Sequence, residues 1–339
     1  MVSRERWLVL SDGARPTEDI YFLASVAPLL RCEGHDVGRL DVRGWRWRLA
    51  RWVLSRQPGA KLVLCRTLPE PVLRWLERER GAFGHIRYVI DDDLAAAAAD
   101  ASLPAAYRER MAKAAAQQPR LLALADEVVA CSEALAARLR KLHGNVRVMT
   151  PPLITPLPDL AHFAAGPTAA RPWRLGFHGT RAHLADLMQI APALEALQRE
   201  RDDTQLELML GSHAPPELAE LPRTHCPAPL PWQKFRVYQA CHRVHIGLAP
   251  LLDTPFNRGK SFIKFLDIAA MGGVGIYANR APYTEIVEHG VNGLLAEDNP
   301  GDWQSCISWL LEHPEAARGM AEAAAERAAG FLRRGKPGC

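Results

Sequence analysis

Long apolar runs are missing from the sequence. None approaches the roughly 18–20 residues of a membrane-spanning helix, so any membrane contact is expected to be peripheral. The opening Met1-Val2-Ser3-Arg4-Glu5-Arg6-Trp7 meets charge at once and leaves no apolar region for a signal peptide, which points to a cytoplasmic chain. Paired cysteines are missing too: Cys32, Cys65, Cys131, Cys226, Cys241, Cys306 and Cys339 are scattered and never spaced C-x-x-C. That pattern suggests neither a disulfide framework nor a zinc site, and it fits a reducing compartment. Charge of one sign is scarce. A net +4, from 42 Lys and Arg against 38 Asp and Glu, is too weak to argue for nucleic acid as the main partner. An anionic small molecule, or anionic lipid at one local patch, stays open. No G-x-x-x-x-G-K-[ST] loop exists for ATP, and no Ser-His-Asp order with a nucleophile elbow.

What is present is the composition of an ordinary globular protein, 48% apolar, 24% charged and 7% aromatic over 339 residues. That length suggests two domains, each able to bury a core. Trp7-Leu8-Val9-Leu10, ended by Ser11-Asp12-Gly13, has the form of a buried parallel strand opening into a loop. A helix-period segment from Asp19 to Leu30 follows. Strand candidates at His35–Val42, Leu62–Cys65 and Ile86–Ile90 then alternate with helical patterns such as Glu70–Arg80. An alanine-rich helical stretch, Ala105 to Leu124, is expected to break at Pro119, and Glu127–Ala130 and Asn145–Met149 are the next strands. Alternation of this kind means a doubly wound α/β domain.

From Pro151 through Pro172 the chain is proline-rich without periodicity, which reads as a connection between domains. The same grammar then restarts, with strands at Leu175–His178, Leu206–Leu210, Val244–Ala249 and Val274–Tyr277. A helix covers Asp186–Arg199, and two more close the chain around Trp303–Leu311 and from Glu315 to about Leu332. The expected division is a domain at 1–160, a linker at 161–172, a second domain at 173–325, and a helix end and tail at 326–339. In open sheets of this kind ligands bind beyond the carboxyl ends of the strands, so the cleft between the domains is the expected site.

The stretch from Gly247 to Asn279 carries the clearest chemistry. A strand ends at Pro250, a loop carries Asn257, Arg258, Gly259 and Lys260, and Ser261 can cap a helix containing Lys264 and Asp267. A helix start offers unpaired N–H groups and partial positive charge, so with Arg258 and Lys260 beside it the place suits a diphosphate. The plainer reading is a solvated basic loop at the start of an ordinary helix.

Asn257, Lys260, Ser261, Lys264, Leu266, Asp267, Ala270 and Gly272, then Pro282–Val287 and Gly290–Leu295, resemble the donor-site motifs of the retaining GT-B glycosyltransferases of group 1, or family 4. Gly176–Thr180 is similar to that family's first C-domain strand and loop, and Ala125–Ser132 to its penultimate N-domain strand. The resemblance implies the GT-B fold, two Rossmann-like doubly wound parallel-sheet domains facing a central cleft. It implies that the loop at Lys260-Ser261 holds a nucleotide-sugar diphosphate, that Asp267 accepts hydrogen bonds from the donor ribose, and that Gly179-Thr180 approaches the donor phosphate. Two positions depart from it: Gly259 stands where the family keeps a glutamate that contacts the sugar, and Val274 where it keeps a proline.

Asp91-Asp92-Asp93 end a strand of the first domain. A carboxylate there can orient an acceptor hydroxyl or take its proton, with Asp92 the first choice and Asp91 the next. The same three residues can instead cap a helix, or Asp91 and Asp93 can hold a metal over a diphosphate. In Arg43–Val53 a helical wheel puts Trp45, Leu49, Trp52 and Val53 on one face, expected to pack on the sheet. Arg46, Trp47, Arg48 and Arg51 lie outside that face, and the sharper reading is contact with anionic lipid through Trp45, Arg46, Trp47, Arg48 and Arg51. His178 and His183 lie near the Gly179 loop, where they can touch a phosphate or be merely hydrogen-bonded.

These readings converge on a cytoplasmic glycosyltransferase, at most at the inner face of the membrane. It is expected to use a nucleotide-diphosphate sugar as substrate, with no cofactor or bound metal, and to transfer the sugar to a hydroxyl of a glycan or lipid-linked acceptor in surface polysaccharide synthesis. Lys260 is then a catalytic cation for the leaving diphosphate. The rivals are a non-catalytic binding subunit of the same fold, motivated by Gly259, and a metal-dependent transferase.

Overall fold

The computed structural model describes residues 4–332; the tail beyond 332, Cys339 with it, lies outside the described residues, as do the first three. Six parallel strands, β1 (Arg6–Ser11), β2 (Asp36–Asp41), β3 (Lys61–Cys65), β4 (Ile86–Ile90), β5 (Glu127–Ala130) and β6 (Val146–Val148), form one sheet in the order β2-β1-β3-β4-β5-β6. A second parallel sheet contains β7 (Trp173–Phe177), β8 (Thr204–Leu208), β9 (Thr224–His225), β10 (Ile246–Ala249), β11 (Val274–Ala278) and β12 (Leu294–Ala296), in the order β12-β11-β10-β7-β8-β9. The central strands read as continuous apolar runs because helices cover both faces of each sheet. Leu62, Val63 and Leu64 of β3 and Ile246 of β10 are wholly buried.

The first sheet is covered by α1 (Arg15–Glu18), α2 (Ala27–Cys32), α3 (Arg46–Leu54), α4 (Glu70–Glu79), α5 (Leu94–Ala99), α6 (Ala105–Leu124) and α7 (Glu133–Leu139). The second carries α8 (Leu184–Glu200), α9 (Pro216–Ala219), α10 (Trp232–Cys241), α11 (Ile263–Ala270), α12 (Pro300–Glu312) and α13 (Pro314–Ala329). Three local expectations are corrected. The helix expected over Asp19–Leu30 is broken into a π turn at Asp19–Leu23 and α2. Pro28, which has no N–H to continue the ladder, sits in the first turn of α2, where the lack costs nothing. Pro119, expected to interrupt its helix, lies inside a continuous α6. There Leu121 and Leu122 are buried, and Arg120 is clamped by Glu77 at 2.7 Å and Glu70 at 2.9 Å of α4, which outweighs one lost backbone bond.

The third correction is the face of α3. Trp47, not Trp45, turns inward and meets Trp75 edge-on at 5.3 Å, with Ala50 and Leu54 buried beside it. Trp45, Leu49 and Trp52 stand outward. Small Ala50 lets the helix approach the sheet closely, so this face packs in place of the one expected through Trp45, Leu49, Trp52 and Val53.

The stretch at 161–172 is no loose tether. Its short turn Ala161–Phe163 buries Phe163 against Trp173, at 5.1 Å between rings. The two halves are also joined elsewhere: Phe256, from the second half, is 1% exposed within the core of the first. Ser132 Oγ donates to the Gly259 carbonyl at 2.8 Å, and Arg138 to that of Pro255 at 3.1 Å. This docking carries Lys260 into the cleft.

Candidate functional site

Between the carboxyl ends of the two sheets lies a cavity of about 1050 Å³, lined from both halves. On the first side Asp91 and Asp92 follow β4 and Arg66 follows β3. Arg66 has a positive φ of 61°, a conformation non-glycine residues rarely adopt. In it the guanidinium donates to Asp92 Oδ2 at 2.6 Å and stands 3.6 Å from Asp91 Oδ1. From the opposite side Lys260 Nζ reaches Asp92 Oδ1 at 2.7 Å and lies 4.0 Å from the centre of the Phe256 ring.

The two neighbouring carboxyls are driven apart. Burial pushes Asp92 up, but the Lys260 ammonium and the Arg66 guanidinium outweigh it and hold the group at about 2. Asp91 is pushed above the ordinary carboxylate range by burial, against the pull of Arg66 and with the help of the Asp92 charge. Its Oδ2 accepts from Thr17 at 2.8 Å, while its Oδ1 accepts no hydrogen bond. Asp93 is spent on structure, capping α5 through Ala96 N at 2.9 Å and pairing with Arg138. The helix-cap reading therefore holds for Asp93. The pair of carboxylates that the metal reading needs, Asp91 and Asp93, is divided between separate partners. Among the described residues no three His, Cys, Asp or Glu side chains converge as metal ligands.

On the second side Gly179 and Thr180 form the loop after β7. A Cβ on Gly179 would fall 2.6 Å from the Phe177 ring, so only glycine fits, and Thr180 Oγ1 caps the turn Arg181–His183. Ser261 does not cap α11 as expected. Phe262 occupies the N-cap without a side-chain bond, and Ser261 Oγ instead lies 3.3 Å from Tyr21 Oη across the cleft. The first N–H groups of α11 thus have no side-chain cap, the condition in which a helix start binds an anion. Lys264 donates to the His178 carbonyl and lies 3.3 Å from Asp267, whose other oxygen accepts from Gln239 at 2.8 Å. Gly179, Thr180, Lys260, Ser261, Lys264 and Asp267 all line the cavity.

Two expected residues do not. Asn257 is buried, donating to Asp186 at 3.0 Å and to the Leu252 carbonyl at 3.0 Å, so it shapes the loop. Arg258 is exposed and forked onto Asp253 at 2.7 and 2.8 Å, away from the cavity lining. His178 gives Nε2 to Glu207 at 2.8 Å, in a buried pair that also takes the Tyr238 hydroxyl. His183 lines the cavity with Nδ1 2.7 Å from Asp186; burial, then the nearby Lys260 charge, push it toward the neutral form despite that carboxylate. Arg66 and Phe256 were not legible as site residues. Packing does not require the glycine at 259, since a Cβ there would stand 3.4 Å from Asp93 Cβ, an ordinary contact.

No protein-family model matches the chain and no curated protein matches it, but solved structures do. Sucrose-phosphate synthase from Thermosynechococcus elongatus is similar over 97% of this chain and 95% of its own, at 15% identity and a TM-score of 0.67. A glycosyltransferase from Rickettsia africae ESF-5 is similar over 98% and 95%, at 12% identity and 0.61. Anabaena HepE, solved with UDP and glucose, is similar over 97% and 96%, at 14% identity and 0.59. The chain accordingly has the fold these glycosyltransferase structures share, GT-B, with two Rossmann-like domains facing a central cleft.

Proposed function

We propose that the cleft takes a nucleotide-diphosphate sugar and transfers its sugar to a hydroxyl of a glycan or lipid-linked acceptor, with retention of configuration, in surface polysaccharide synthesis. The carrying observation is that Lys260 and the uncapped start of α11 sit on one wall, opposite the Asp91 and Asp92 carboxylates, in a cavity large enough for a nucleotide sugar. HepE, solved with UDP and glucose, is the neighbour that supports this ligand class.

The diphosphate competes with Asp92 for Lys260. As the bond from the anomeric carbon to the diphosphate oxygen breaks, charge grows on that oxygen, and Lys260 with the α11 N–H groups offsets it. Lys264 adds charge from the next turn, and Asp267 is placed for the ribose. For retention the acceptor oxygen bonds to the anomeric carbon on the face from which the diphosphate leaves, beside the carboxylate that Lys260 reaches, and gives up its proton there. Of the two carboxylates, Asp91 is the one that burial pushes upward, and its Oδ1 accepts no hydrogen bond although Arg66 stands 3.6 Å away, whereas both oxygens of Asp92 are held by cations. In this proposal Asp91, the second choice from the sequence, takes the proton, and Asp92 fixes Arg66 and Lys260.

Incubating the purified chain with UDP, GDP, ADP and CMP sugars, with and without glycan acceptors, tests this reading. Release of the nucleotide or formation of a glycoside supports transfer. Tight nucleotide binding with neither product would favour the binding-subunit reading that Gly259 motivates.

A further inference from the structure

No described helix is long and apolar enough to cross a membrane, yet one is built to lie on one. Trp45, Leu49 and Trp52 are 74%, 59% and 55% exposed, and their spacing puts them on one face of α3 and its leading turn. Arg48 stands among them around one open hollow, and the Arg56 guanidinium lies 4.1 Å from the Trp52 ring centre. Arg43 and Arg46 pair with Asp41, but neither Arg48 nor Arg51 forms an ion pair with any described residue. The sequence holds no acidic residue between Asp41 and Glu70. Exposed apolar surface with unneutralised positive charge is complementary to a surface that is apolar beneath and anionic above.

We infer that this face of α3 seats on the headgroup layer of an anionic bilayer, with Trp45, Leu49 and Trp52 in the acyl boundary and Arg48 and Arg51 against phosphate. Indole rings settle at that depth because their body is apolar and their N–H is polar. The patch also adjoins the cleft. The Arg43 side chain lies 3.2 Å from where a Cβ on Gly13 would stand, and Gly13 lines the cavity. The inference concerns a surface and stands whether or not the cleft performs transfer.

Co-sedimentation of the full chain with phosphatidylcholine vesicles, alone or mixed with phosphatidylglycerol, tests it. Binding is expected on the mixed vesicles and not on the neutral ones. Replacing Arg48 and Arg51 with Gln should weaken it about 30-fold, the effect of two basic residues at an anionic surface. Trp45→Ser with Leu49→Ser and Trp52→Ser should abolish it, and these exposed changes should leave UDP affinity as it was. Equal sedimentation of parent and variants overturns the inference. So does a dimer in light scattering that the serine variant dissolves, which would make the face a contact between two copies.

Discussion

Asp92 and Lys260, 168 residues apart in the chain, meet across the cleft with Oδ1 and Nζ 2.7 Å apart. Arg66 holds the other carboxylate oxygen at 2.6 Å, so one buried anion ties together two cations from opposite domains. Such a pair gains little over a hydrophobic alternative, because desolvation offsets the attraction, but breaking it from one side leaves a buried charge alone.

Replacing Lys260 by Met should therefore cost twice. Transition-state stabilisation should fall by about 1.5–3 kcal/mol, or about 10–150-fold in kcat/KM, with kcat affected at least as much as KM. Urea unfolding should also show lower stability. The stability losses of Asp92→Asn and Lys260→Met should add to less than their sum in the double variant, since both remove the same ion pair, and no activity should return. A strictly additive double variant would show that the two groups do not interact in solution.

Asp91→Asn should lower kcat by about 10²–10⁴-fold, the usual weight of a positioned acid or base, with donor affinity little changed. Asp92→Asn should instead disturb donor KM and stability, because it releases Arg66 and Lys260. Steady-state kinetics of both variants check this. Full turnover in Asp91→Asn would remove it from the reaction.

Phe256→Ala should lower stability by about 3–5 kcal/mol, the scale for emptying a buried aromatic site. Because Phe256 plugs the core of one domain from a loop of the other, the variant should also lose donor affinity. Thermal unfolding with and without UDP reads both effects. A stable variant with ordinary UDP binding would mean that the loop does not depend on this plug.

Glu207 is pushed up by burial, but the His178 and Tyr238 hydrogen bonds prevail and hold it at about 2, below its ordinary range. The folded value is the depressed one, so its contribution is complete above about pH 4.5 and is lost as pH falls toward 2. Between pH 7 and pH 3 the parent should lose about 1–2 kcal/mol more stability than Glu207→Gln. Urea midpoints at the two pH values decide it, and parallel losses would contradict the pairing.

The fold was legible because buried parallel strands are continuous apolar runs; β1, β3, β4 and β10 fall where Trp7–Leu10, Leu62–Cys65, Ile86–Ile90 and Val244–Ala249 place them. The stretch from Asn257 to Asp267 was legible as a loop before a helix. What each side chain there touches was not. Arg258 and Lys260 are both cations two residues apart, and only the docking of Phe256 sends one into the cleft and the other to Asp253. Arg66 carries no motif; its reach depends on a positive φ and on two carboxylates at the end of the next strand. The face of α3 was misread because its large apolar side chains, Trp45, Leu49 and Trp52, stand outward while Ala50 and Leu54 are buried.

Titration of UDP, GDP, ADP and CMP into the chain and into Lys260→Met, followed by calorimetry or thermal shift, tests the central claim most directly. At least one nucleotide should bind the parent and, at 100 times its Kd, add about 2.7 kcal/mol of apparent stability. Binding should weaken roughly 10-fold or more in Lys260→Met, the loss of one charged hydrogen bond. No binding by any nucleotide, or equal binding to both proteins, would contradict the assignment of this cleft to a nucleotide-diphosphate sugar.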